Sequence, residues 1–242
     1  MHGNSSCRLE SLETVQYLLP QNISLFCFDF AGCGNSGGEY ISLGWWERDD
    51  VALIVEHLRE QRRVSTIALW GRSMGAVTAL LHADRDPSIA AIILDSPFSN
   101  LSKLVNELAY QYTKLPSLLV SPVLKLVSNT IKNKVHFDIY KLSPIDHVKN
   151  SFIPALFATA TGDDFIKPQH SQDLHDAYQG DKNFIKFEGD HNSARPTFFY
   201  DSASIFLFTT LQCGQLLTES TKFTAEQMKV RKKEIRDKKK AE

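Results

Sequence analysis

No long apolar run is present: nothing in the sequence approaches the roughly 20 consecutive apolar residues of a membrane-crossing helix. The chain opens on Met1-His2-Gly3-Asn4-Ser5, with neither the positive patch nor the apolar stretch of a secretory leader, so a cytoplasmic protein without an integral membrane segment is expected. Cysteine is sparse. Cys7, Cys27, Cys33 and Cys213 form no C-x-x-C pair, which argues against a structural zinc site and a disulfide framework and fits a reducing compartment. Glycine (12) and proline (9) are too few for a fibrous chain. Neither sign of charge dominates, the formal net charge being -1. Its placement is uneven, since residues 224–242 hold eight Lys/Arg against four Asp/Glu and carry +4, leaving -5 on the rest. An acidic body lacks the clustered cations that phosphate contacts need, so no nucleic-acid partner is expected. The basic tail reads as solvated and as a candidate contact for an acidic partner.

What the sequence does have is the composition of a globular protein, 43% apolar and 23% charged over 242 residues, enough for one large domain with a sizeable core. Short runs rich in β-branched and aromatic residues recur at 23–30, 66–70, 90–94, 155–159 and 183–187 and predict buried strands. Helical spacing lies between them: Leu9, Leu12, Val15 and Leu19, then Val51, Ile54, Val55 and Leu58, then the stretch 76–81. Alternating strands and helices predict a mostly parallel sheet covered on both faces. About sixty residues between the third and fourth runs carry no convincing strand, longer than an ordinary crossover. Helical spacing at Leu101, Leu104, Val105, Leu108 and Tyr112, and a second helix after Pro116, predict a helical cap over 96–152 within a domain spanning 1–223, followed by the tail at 224–242.

The chemistry-bearing signal is Gly71-Arg72-Ser73-Met74-Gly75, a G-x-S-x-G directly after a predicted strand and before a predicted helix. That context fits a nucleophile elbow, in which a strained turn exposes the serine and the flanking glycines let backbone pass close by. The helix N-terminus then offers the Met74 N–H to a developing oxyanion. A serine hydroxyl needs a base, and the base an orienting carboxylate, from later strand ends that converge on one crevice. Gly162-Asp163-Asp164-Phe165 follows the fourth predicted strand and Glu188-Gly189-Asp190-His191 the fifth. Of the eight histidines His191 alone stands where the mechanism requires one. Asp163, Asp164 and Asp95 remain open as the acid. His2-Gly3-Asn4-Ser5 is a candidate turn for the second oxyanion N–H, from Asn4 or alternatively Ser5. Gly32-Cys33-Gly34-Asn35-Ser36-Gly37 matches a dinucleotide-binding fingerprint, but residues 38–44 intervene before any helical pattern, so that reading fails on context.

These residues resemble the α/β-hydrolase superfamily, and more narrowly its serine-aminopeptidase-like branch, over roughly residues 2 to 212. The likeness rests on His2-Gly3-Asn4, Phe28-Asp29-Phe30-Ala31-Gly32-Cys33-Gly34-Asn35-Ser36, the Gly71 to Gly75 elbow, Asp95-Ser96-Pro97-Phe98, Asp164-Phe165-Ile166-Lys167-Pro168 and Gly189-Asp190-His191-Asn192. It implies an α/β-hydrolase fold with a helical cap insertion. It also implies a serine hydrolase of a carboxylic ester, thioester or amide, with Ser73 as nucleophile, His191 as base and Met74 and Asn4 at the oxyanion hole. In such families the acid stands four residues before a proline, which favours Asp164. A small-molecule acyl substrate is expected, and neither a metal nor an organic cofactor. The resemblance places a further strand ahead of His2, between the strands predicted at 23–30 and 66–70, so an N-terminally truncated chain is expected. The alternative is a truncated, non-catalytic chain that keeps the fold for binding.

Overall fold

A computed structural model of the chain describes residues 1–61, 64–112 and 117–215. A short 3-10 turn leads into helix α1 (Leu12–Leu18), and a long loop then reaches α2 (Glu47–Glu60). Strand β1 (Ala68–Arg72), helix α3 (Met74–Ala83) and strand β2 (Ala91–Asp95) follow. Helices α4 (Leu101–Tyr112), α5 (Ser117–Val135) and the one-turn α6 (Pro144–His147) occupy the crossover from β2 to β3 (Ala155–Ala160). Helix α7 (Pro168–Ala177), strand β4 (Lys182–Phe187) and helix α8 (Thr197–Thr210) complete the described part.

The strands form one parallel sheet in the order β1-β2-β3-β4. Strand period two sorts its side chains to opposite faces. Ile92 and Leu94 of β2 with Phe157 of β3 pack on α2, α3 and α7 through Val55, Leu80 and Leu174. Ile93 with Leu156 and Ala158 pack on α1 and α8 through Leu18, Phe199 and Leu207. Both faces of β2 and β3 are therefore buried, and these strands read as unbroken apolar runs rather than alternating ones. A third cluster, with Val77, Leu81, Phe98, Leu104, Leu142 and Ile166, joins α4 and the crossover to α3 and to the loop after β3.

The run at 23–30 departs from expectation. It forms neither helix nor turn and joins no ladder among the described residues. A cavity of about 620 Å³ is lined by Phe26 and Phe28 on its side and by Ala68 and Trp70 of β1 on the other. Extended chain becomes sheet only where a neighbour presents matching N–H and C=O groups, and here none lies alongside. On the wall of this cavity the Met1 nitrogen donates to the Trp70 carbonyl at 2.7 Å, and the Arg72 N–H donates to the Met1 carbonyl at 3.2 Å. Among the described residues no helix is long and apolar enough to cross a membrane. The predicted basic tail lies outside the described residues.

Candidate active site

Ser73 follows β1 directly and adopts φ 52°, ψ -117°, a conformation L residues rarely visit. Two contacts show why glycines flank it. A Cβ on Gly71 would collide with the Gly75 carbonyl, and one on Gly75 would sit 2.8 Å from the His2 carbonyl oxygen. The turn is pinned by the Ser73 N–H donating to the Asp95 carbonyl at 2.8 Å and by the Val77 N–H returning to the Ser73 carbonyl at 3.1 Å. Met74 is the first residue of α3, so its N–H is one of the groups that a helix start leaves unpaired within the helix.

His191 arrives from the loop after β4. His191 Nε2 lies 3.2 Å from Ser73 Oγ, and His191 Nδ1 lies 2.7 Å from Asp163 Oδ2. The imidazole is mostly buried, the Asp163 carboxylate fully so. With the carboxylate accepting from Nδ1–H, Nε2 faces the serine as an acceptor. The Phe165 ring packs 5.2 Å from the imidazole. The loops bearing Asp163 and His191 are also tied directly, since the Gly162 N–H donates to the Gly189 carbonyl at 2.9 Å.

The residue favoured by the resemblance is thereby displaced by one position. Asp163, not Asp164, meets the histidine. Asp163 Oδ1 accepts the N–H groups of Phe165 at 3.0 Å and Ile166 at 2.8 Å, which fixes the turn and aims Oδ2 at His191. Asp164 is exposed, and its nearest hydrogen-bond partner is Gln111 Nε2 at 3.5 Å. Asp95 is occupied elsewhere: it forms a buried two-pronged pair with Arg195, at 2.8 Å from Nε and 3.0 Å from Nη2. Burial works against the Arg195 charge, but the Asp95 carboxylate outweighs it and raises the pKa.

The His2-Gly3 turn stands beside the elbow. His2 is buried, with Nδ1 at 2.8 Å from the Gly3 carbonyl and Nε2 accepting the Phe30 N–H at 3.2 Å. A Cβ on Gly3 would lie 3.6 Å from Ser73 Cβ, which measures how near the turn comes to the nucleophile. Asn4 and Ser5 follow in an exposed turn closed by the Ser6 N–H on the Gly3 carbonyl at 3.3 Å.

Three residues had no role assigned from the sequence: Arg72 and Asp190, which lie within the quoted motifs, and Arg195, which lies outside them. Arg72 Nη2 and Arg195 Nη1 both donate to the His191 carbonyl, at 2.7 and 3.3 Å. Asp190 folds the histidine loop by accepting from the N–H groups of Asn192 and Ser193, both at 2.8 Å, and these bonds lower its pKa. The Gly32 to Gly37 turn wraps onto Asp29, whose carboxylate accepts the Asn35 N–H at 3.0 Å and the Arg8 N–H at 2.6 Å. No helix begins there; the next is α2. Among the described residues no group of three or more His, Cys, Asp or Glu could hold a metal ion.

A strained serine after a parallel strand thus stands within hydrogen-bonding reach of a histidine and, through it, an aspartate, both from loops that follow later strands. Residues 1–144 match the family described as serine aminopeptidase, S33. The chain belongs to this family. It is 30% identical over 195 residues to the uncharacterized protein YqkD of Bacillus subtilis, covering 78% of this chain and 63% of that protein. The chain thus spans less than two thirds of the length of this curated relative. Its fold matches the Pyrococcus furiosus esterase Pf2001 with a TM-score of 0.66 at 22% identity, over 86% of this chain and 80% of that one. A Paleococcus ferrophilus monoacylglycerol lipase matches with a TM-score of 0.65 at 18% identity, over 87% of this chain and 93% of that one. The fold is that of the α/β-hydrolases.

Proposed function

We propose that this serine-aminopeptidase-family chain is a serine hydrolase that cleaves a carboxylic ester, thioester or amide through an acyl-enzyme. The observation that carries the reading is the unbroken hydrogen-bonded line from Ser73 Oγ to His191 to Asp163 on a strained elbow. In this reading Ser73 Oγ attacks the substrate carbonyl while His191 Nε2 takes its proton. Asp163 holds the imidazole in the Nδ1–H tautomer and stabilises the imidazolium that forms. The N–H groups of Met74 and Asn4 receive the oxyanion. His191 returns the proton to the leaving group, and water, deprotonated by the same imidazole, releases the acid. Each step uses groups this chain supplies and calls on no cofactor.

Ester-type substrates come first in this reading because the structural neighbours include an esterase and a monoacylglycerol lipase. The test is covalent labelling with a fluorophosphonate, followed by turnover of a panel of acyl esters, thioesters and aminoacyl amides. Labelling confined to Ser73, with turnover of at least one class that Ser73→Ala abolishes, is the expected result. A folded protein that neither labels nor turns over any of the three would overturn the reading.

A further inference from the structure

Arg72 fills the variable position between Gly71 and Ser73, where the elbow's backbone chemistry requires no particular side chain. Its guanidinium forks. Nη1 pairs with Glu10 Oε1, while Nη2 donates to the His191 carbonyl at 2.7 Å and lies 3.4 Å from Asn192 Oδ1. The other Glu10 oxygen, Oε2, accepts the Gly3 N–H at 2.7 Å. A continuous polar line therefore runs from the Gly3 turn through Glu10 and Arg72 to the backbone of His191. It joins the proposed oxyanion turn to the proposed base without passing through Ser73.

Arg195 also holds the His191 carbonyl, but its other end is spent on Asp95 at the edge of the core, so it anchors one loop only. Among the described residues Arg72 connects that loop to the turn through Glu10. Burial pushes the Glu10 carboxyl up, yet the Gly3 N–H and the Arg72 charge outweigh it and leave its pKa below the ordinary carboxylate range. Glu10 is therefore a fixed anion at neutral pH, and one partner of a compensated pair. The pair is partly shielded, with side-chain exposures of 27% for Arg72 and 19% for Glu10.

We infer that Glu10 and Arg72 are a positioning pair that sets the distance and orientation between the Gly3–Asn4 oxyanion turn and the His191 imidazole. The inference rests on the serine-hydrolase reading. A group that only positions others acts on the transition state through geometry, where an error of about 1 Å can cost roughly 100-fold. It also leaves an electrostatic trace when one half is removed. Glu10→Gln keeps an oxygen for the Gly3 N–H but leaves the Arg72 cation unpaired beside the histidine loop, which disfavours the imidazolium. Arg72→Gln leaves the Glu10 anion unpaired and favours it. The charged groups that stay in place around His191 in both variants are Asp163 on Nδ1, Arg195 on its carbonyl with Asp95 paired behind it, and Asp190 in its own loop.

The experiment measures fluorophosphonate labelling rates and ester turnover across roughly pH 5 to 9 for the full chain, both single variants and the double variant. Expected is a loss in kcat of about 10-fold to 100-fold in each single variant with KM little changed. The rise of rate with pH should shift to lower pH in Glu10→Gln and to higher pH in Arg72→Gln. The double variant should lose less than the product of the single losses, because the two act as one unit. Arg72→Lys serves where Arg72→Gln does not fold: it keeps the charge but has no fork to span both acceptors, so kcat should fall with the pH profile unmoved. Singles within about twofold of wild type, or losses that multiply with no movement of the profile, overturn the inference. Wild-type protein that does not label at Ser73 overturns the hydrolase reading itself, a result visible before any variant is made.

Discussion

Asp163 Oδ2 stands 2.7 Å from His191 Nδ1, while the adjacent Asp164 is exposed and lies 3.5 Å from Gln111 Nε2. Replacing these neighbours should therefore have unequal effects. Asp163→Asn places an amide against Nδ1 and favours the wrong imidazole tautomer, which should lower kcat by about 10⁴-fold. Asp164→Asn should stay close to wild type. Ester turnover by the two variants checks the ranking, and equal losses would argue against the assignment.

Ser73→Ala and His191→Ala should each lower kcat on the order of 10⁶-fold, and combining them should add little, because nucleophile and base act as a unit. Fluorophosphonate labelling reads the first variant directly. Incorporation that persists in Ser73→Ala would place the nucleophile elsewhere.

Stability should fall as the solution is acidified below the ordinary histidine value of 6.5, because His170 and His82 both have lowered pKa values in the fold. Burial is the main cause at each site. At His170 the Lys103 charge works with it, against Glu107 and Asp173; at His82 Arg85 works with it, against Asp86. The sign follows from linkage: the unfolded chain takes up these protons first, so stability is present above the unfolded pKa and is lost as pH falls toward the folded one. Thermal midpoints measured between roughly pH 5 and 8 should rise with pH, less steeply in His82→Gln. A flat profile over that range would contradict the expectation.

Tyr178 offers a test of the core. Its hydroxyl donates to the Ile153 carbonyl at 2.6 Å and lies 2.8 Å from Ser151 Oγ, and burial pushes its pKa up to about 12. It is therefore a neutral donor under ordinary conditions. Tyr178→Phe keeps the ring packed on Phe157 but leaves a buried carbonyl without its partner, at about 1–3 kcal/mol. Chemical denaturation should show that loss with turnover unchanged.

The sequence by itself determined what depends on near neighbours or on periodicity. The elbow was legible because the residues that need special backbone freedom, Gly71, Ser73 and Gly75, fall within five positions, although the backbone that crowds Gly75 comes from His2. The four paired strands were legible, within a residue or two at their ends: β2 and β3 because burial on both faces demands apolar runs such as 155–160, and the half-exposed β1 and β4 because short β-branched and aromatic clusters mark them. The order of serine, acid and histidine followed from strand ends converging on one side of a parallel sheet. Tertiary structure decided what depends on partners far along the chain. Composition could not choose between adjacent aspartates, since the choice turns on which carboxylate caps the Phe165 and Ile166 N–H groups and which faces water. Asp95 was removed from contention by Arg195, 100 positions away. The run at 23–30 has the pattern of a strand and no ladder, because pairing is a property of two chains and not of one. Arg72 and Glu10 gave no sequence signal, since 62 residues separate them and only folding brings their charges together.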